Sequence, residues 1–220
     1  MKFKHLIITK LALKGRYDKT GLSWEEWLNN SIFLMDKYCR PSLKNQVNQN
    51  FTLISRIDDS VNFVGNILNN EIIVKNKDFG EILNNIIKEY DSVIITRLDR
   101  DDSLKFDFVE NIQKNIIIDE HDKYIDIKNL ISYDTLNDKC YKSDKYNNMI
   151  SPFVSTYEVI KEKMDYFVLR IEHNKIGNYL KGEKCDNLCA MQVIHEYNLL
   201  NKITGKLDDN INLGDYGINI

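Results

Sequence analysis

The feature that most restricts this chain is an apolar strand that ends on a cluster of acids. Ser92-Val93-Ile94-Ile95-Thr96-Arg97-Leu98 runs without a break into Asp99-Arg100-Asp101-Asp102. A run this apolar and β-branched reads as a strand covered on both faces, as in the parallel sheets of α/β proteins. Its acidic end then lies at the carboxyl edge of the sheet, where open α/β sheets bind their ligands. Carboxylates this close repel one another, so something positive must compensate them. A hard divalent cation does so with oxygen ligands and keeps open positions for phosphate oxygens. Residues 51–58 form a second strand that stops on Asp58-Asp59, and two acidic strand ends suggest one ligand edge. Spacing alone leaves a plainer reading open, in which Asp102 caps a helix beginning at Ser103.

The first half of the chain alternates. Residues 3–11 read as a buried strand. Ser23-Trp24-Glu25-Glu26 matches a capping box, and Trp24, Trp27, Leu28, Ile32, Leu34 and Met35 fit one face of a helix to about Tyr38. Pro41 suits the first turn of another helix through Leu43 and Val47. Residues 71–74 read as a strand, 79–90 as a helix through Ile82, Ile86 and Ile87, and 104–115 as a helix. Strand and helix in turn at these lengths predict an α/β sheet built from right-handed crossovers. The second half is less regular, with a strand expected at 166–172 and a polar tail after about Ile203. There is no internal repeat and no linker rich in Gly, Pro or Ser, so a single domain over 1–220 is expected.

Composition narrows the function classes. The 30 basic and 33 acidic side chains leave a formal charge of -3, without the clustered basic surface that duplex nucleic acid requires. No run approaches the roughly 18 to 20 apolar residues of a membrane span. Lys10 and Lys14 interrupt the amino-terminal run, which reads as a core strand rather than a leader. Cys39, Cys140, Cys185 and Cys189 are scattered and form no disulfide framework, so a reducing, cytoplasmic setting is expected. Cys185 and Cys189, with His195 nearby, lack the spacing and the fourth partner of a structural zinc site.

Several blocks together resemble a family of rhamnosyltransferases, within the glycosyltransferases of the nucleotide-diphospho-sugar (GT-A) fold. His5-Leu6-Ile7-Ile8-Thr9 resembles the family's opening strand, and Arg40-Pro41-Ser42-Leu43-Lys44-Asn45-Gln46 its next helix. Thr96-Arg97-Leu98-Asp99-Arg100-Asp101-Asp102-Ser103-Leu104 is similar to its acidic block, with Arg100 where the family has Asn. Ser151-Pro152-Phe153-Val154-Ser155 and Met191-Gln192-Val193-Ile194-His195-Glu196-Tyr197-Asn198 resemble later segments, the second preceded by Ala190 where an aromatic residue is expected. The likeness spans roughly residues 5 to 198.

The resemblance implies a single-domain, GT-A-like (Rossmann-like) mixed sheet flanked by helices. About 1–115 would form the nucleotide-sugar-binding half, about 116–205 the acceptor-side half, and 206–220 the polar tail. It implies Mn2+ or Mg2+ on Asp101, with His195 and Asp99 as further ligands, and a metal that neutralises the departing diphosphate. Asp58, Asp99, Thr9 and Arg97 would line the nucleotide-sugar pocket, and Asp102 would coordinate or orient its neighbour. The partners implied are a nucleotide-diphosphate sugar and a glycan or other hydroxyl acceptor. A catalytic carboxylate must deprotonate that hydroxyl if the enzyme inverts. Glu158 is the choice, with Asp165 and Glu172 as competitors, while His173-Asn174 reads as a surface loop. Two rivals stand beside this reading: a non-catalytic, transferase-like nucleotide- or glycan-binding module, and a metal-dependent phosphohydrolase.

Overall fold

The computed structural model describes residues 2–14, 20–116, 121–144, 146–198 and 202–218. Its centre is β1 (Phe3–Ala12), flanked in parallel by β2 (Thr52–Ile57) and β4 (Ser92–Arg97). β3 (Glu71–Lys75) continues the parallel set beyond β2. The expected capping box opens α1 (Trp24–Leu34): Glu26 N donates to Ser23 Oγ, and Ser23 N donates to the Glu26 carboxylate. The helix then widens into a π turn at Met35–Cys39 and continues as α2 (Arg40–Lys44), with Pro41 in its first turn. These elements cover one face of the sheet, where Ile7, Leu11, Trp27, Met35, Leu43 and Leu53 share a core cluster. α3 (Phe79–Ile87) covers the other face, packing Leu83 and Ile87 with Leu6, Ile8 and Ile95.

The second half turns antiparallel. β8 (Ser155–Val159) pairs with β4, β6 (Lys123–Asp134) with β8, and β7 (Lys139–Ser143) with β6. β9 (Lys181–Ile194) runs parallel along β6, and β5 (Ser103–Leu104) pairs with Met191 and Ala190 of β9. The result is a mixed ten-stranded sheet flanked by helices, the α/β class expected.

Three local expectations are corrected. Residues 103–104 are strand, and helix α4 starts only at Phe108 (Phe108–Asn115), so Asp102 caps no helix. Residues 166–172 are no strand but contain a helical turn, α5 (Phe167–Arg170), entered through a left-handed Tyr166 with φ of 50°. The tail is polar in composition yet folded through residue 218: β10 (Lys206–Leu207) pairs with β7, and Tyr216 and Ile218 are buried beside Leu34, Tyr38 and Val193. Gly217 makes that docking possible, since its φ is 72° and a Cβ there would sit 2.6 Å from the Pro41 backbone.

Candidate functional site

The acidic block follows β4 directly. Asp102 N donates to Asp99 O at 3.1 Å, closing a turn that reverses the chain and delivers Ser103 and Leu104 to β9. Short as it is, β5 therefore brings the turn against the carboxyl end of a strand far away in sequence. Asp102 is 1% exposed, and its Oδ1 accepts from Val193 N at 3.0 Å. Asp101 Oδ2 lies 3.0 Å from His195 Nε2 and accepts from Asn198 Nδ2 at 3.3 Å.

Charge in this turn is unequal. Burial, helped by Asp101 and Asp99, pushes the Asp102 carboxyl well above the usual range. Asp99 is exposed at the surface; desolvation first and Asp101 second raise its pKa. Desolvation opposes ionisation of Asp101 too, but the His195 hydrogen bond and the charge of Arg100 bring its pKa down.

The other expected residues are distributed around this turn. Asp58 follows β2, about 10 Å to the side with β1 between; its carboxylate accepts from Ser60 N and Oγ and lies 3.9 Å from Lys14 Nζ. The Ser60 bonds are the largest influence holding its pKa down. Thr9 is buried on the α1 face, and its Oγ1 has no partner among the described residues. Arg97 lies opposite Ile8 and, by strand alternation, on the other face with Ile95.

Glu158 is not brought to the site. It pairs with Val93 at the start of β4, six residues before Asp99, which places it about 20 Å from the acidic turn. Its carboxylate accepts from Thr156 Oγ1, Tyr166 N and Phe167 N, so it anchors α5 instead of a substrate. Burial pushes its pKa up to about 7. The folded state therefore keeps a proton that the unfolded chain releases near 4.5, and this stabilisation fades as pH rises from there through 7. Melting curves between pH 5 and 8 should show that decline in the wild type and a flatter profile in Glu158→Gln.

Of three further groups near the turn, the sequence marks Arg100 only as a departure from the family's block, reads His173 as a surface loop and passes over Asp126. Arg100 rests on Trp27, its guanidinium carbon 4.8 Å from the ring centre. His173 opens a 3-10 turn, and burial, then Arg97, lower its pKa, so its imidazole is neutral. Asp126 of β6 is fully buried and binds Ser151 and Lys184. Ser155 pairs with Thr96, so the Ser151-Pro152-Phe153 segment just before β8 flanks the end of β4. Two surface cavities of about 570 and 510 Å3 lie elsewhere, lined by residues such as Lys44 and Asn69 and by Asp138 and Asp208 respectively.

The expected metal ligands do not fit a resident divalent cation as they stand. Among the described residues no three His, Cys, Asp or Glu side chains converge for a metal. Tyr197 N donates to His195 Nδ1 at 3.2 Å, so the proton of a neutral imidazole sits on Nε2 and is given to Asp101. An Nε2 that donates offers no lone pair to a metal.

No family model matches the sequence. No curated protein matches it either. Among solved structures, the chain is similar to the inositol-1-phosphate CTP transferase from T. maritima, with 13% identity, a TM-score of 0.34, and coverage of 87% of this chain and 89% of that one. A likeness this faint carries no argument about chemistry. Among the described residues no helix is long and apolar enough to cross a membrane.

Proposed function

We propose that this chain is a glycosyltransferase that moves a sugar from a nucleotide diphosphate to a glycan hydroxyl, rhamnose being the sugar the resemblance implies. The observation that supports it best is the acidic turn after β4, docked on the end of β9 through the Asp101–His195 and Asp102–Val193 contacts. In this reading Asp58 and Asp99 hold the ribose and base at the ends of β2 and β4, on either side of β1, with Arg97 lining the pocket and Thr9 buried on the opposite face of the sheet. The acceptor oxygen attacks the anomeric carbon, the bond to the diphosphate breaks, and the diphosphate leaves with the electron pair. Mn2+ or Mg2+, if bound, would be held by the Asp101 and Asp99 carboxylates, and by His195 only with the imidazole proton on Nδ1.

The displacement of Glu158 favours one second reading, a nucleotide- or glycan-binding module without turnover. Thermal melts with UDP, GDP, dTDP and CDP, each with Mn2+ and with EDTA, test both. A ligand at a hundred times its Kd stabilises the folded state by about 2.7 kcal/mol, so the test needs no known acceptor. One nucleotide should raise the melting temperature of the wild type and not of Asp101→Ala, which releases His195 and Asn198. No shift with any nucleotide would overturn the transferase reading; a shift without sugar transfer to any acceptor would favour the module.

A further inference from the structure

Arg100 stands between two acids of the turn yet pairs with neither. Its Nε is buried and has no partner among the described residues. Among the described residues the guanidinium forms no ion pair with Asp99, Asp101 or Asp102, and its one contact is the Trp27 ring.

The support beneath it is rigid. Trp27 is 5% exposed and stacks on Trp24, with ring centres 5.4 Å apart and planes inclined by 23°. At the far side Lys14 lies 5.2 Å from the centre of the Trp24 ring and 3.9 Å from Asp58 Oδ1. The stacked pair therefore lies between the two acidic strand ends, with a cation on a ring at each side. A guanidinium laid on an aromatic face keeps its donor edge free, and that fork matches two phosphate oxygens at once. Two of the turn's carboxylates are committed elsewhere: Asp101 holds His195 and Asn198, and Asp102 is buried against Val193 N.

We propose that Arg100 grips the diphosphate of the donor directly, in the place a divalent cation would fill, so that diphosphate binding persists without metal. The inference rests on the transferase reading above and names the group that holds the leaving diphosphate. Inorganic pyrophosphate is the probe, titrated in EDTA against wild type, Arg100→Asn and Arg100→Lys, with calorimetry and tryptophan emission as readouts. The chain has 2 tryptophans, and both belong to the stack under Arg100.

The wild type should bind in EDTA with a change in emission. Arg100→Asn should weaken binding about ten- to a hundredfold, the scale of a lost charged hydrogen bond, and lose the emission change. Arg100→Lys keeps the charge without the fork and should fall between them; it also serves if the Asn variant fails to fold. Equal affinity in all three proteins, or wild-type binding that requires Mn2+, would overturn the inference. Failure of the transferase reading looks different: no nucleoside diphosphate would bind even with Mn2+, or one would bind without sugar transfer to any acceptor.

Discussion

Glu71→Ala is expected to lower the stability of the fold by about 3–5 kcal/mol, the cost of stranding a buried charge. Glu71 is 5% exposed at the start of β3, and Arg40, from α2, is 6% exposed. Arg40 Nε donates to Glu71 Oε2 at 2.8 Å and its NH2 donates to Oε1 at 2.9 Å, a two-point contact. Ser55 Oγ of β2 and Leu68 N add bonds to the same carboxylate at 2.6 and 3.1 Å. One side chain thus joins α2, β2, β3 and the loop before β3. Removing it leaves a guanidinium, a hydroxyl and an amide facing a void, with only the exposed partner Asp36 still on Arg40. At this chain length the loss corresponds to roughly 10 °C in melting temperature. Arg40→Met combined with Glu71→Leu should cost less than Glu71→Ala, because apolar replacement of both partners strands no charge. Thermal and urea unfolding of the three proteins measure this, and a single variant as stable as the wild type would show that the pair contributes nothing.

The elements that could be read from the sequence are those whose signal is local. The capping box at Ser23, the apolar run of β1, Pro41 in the turn of α2 and the acidic end of β4 each occupy a few consecutive residues. The errors lie where a distant partner decides. Residues 166–172 have strand composition, but the amides of Tyr166 and Phe167 are taken by the Glu158 carboxylate, so no ladder forms there. β5 is two residues long and carries no periodicity; only its pairing with β9 defines it. In the tail, Ile211, Leu213, Tyr216 and Ile218 are diluted by Asp and Asn, which hides a packed face.

The candidate site divides in the same way. Asp99, Asp101 and Asp102 are legible as a strand end, and the meeting of Asp101 with His195 is implied by resemblance, never by spacing. Glu158 has the right chemistry at the wrong end of β8, because antiparallel pairing with β4 sends it away from the acidic turn. Arg100 showed in the sequence only as a departure from a familiar block. Its importance comes from a buried Nε and the Trp27 ring beneath it, neither of which a one-dimensional pattern contains.

Asp126→Ala should cost a similar amount, about 3–5 kcal/mol, and should disturb the ligand edge as well as the fold. Asp126 and Lys184 face each other only because β6 and β9 run parallel in the register that pairs them. Lys184 Nζ donates to Asp126 Oδ2 at 2.6 Å, Ser151 N donates to the same oxygen at 2.9 Å, and Ser151 Oγ and Ile127 N donate to Oδ1. Lys184 Nζ also donates to Met149 O at 2.8 Å. The pair therefore ties residues 149–151, and through them the Ser151-Pro152-Phe153 segment, to β6 and β9. Asp126→Asn keeps one acceptor oxygen for the Ser151 and Ile127 donors but removes the charge that Lys184 needs, so it should fall between wild type and Asp126→Ala. Adding Lys184→Met to Asp126→Asn should then recover stability, since it removes the stranded ammonium. Recovery of the fold without recovery of nucleotide affinity would show that Asp126 positions the rim of the site through Ser151. Recovery of both would reduce its part to burying one lysine.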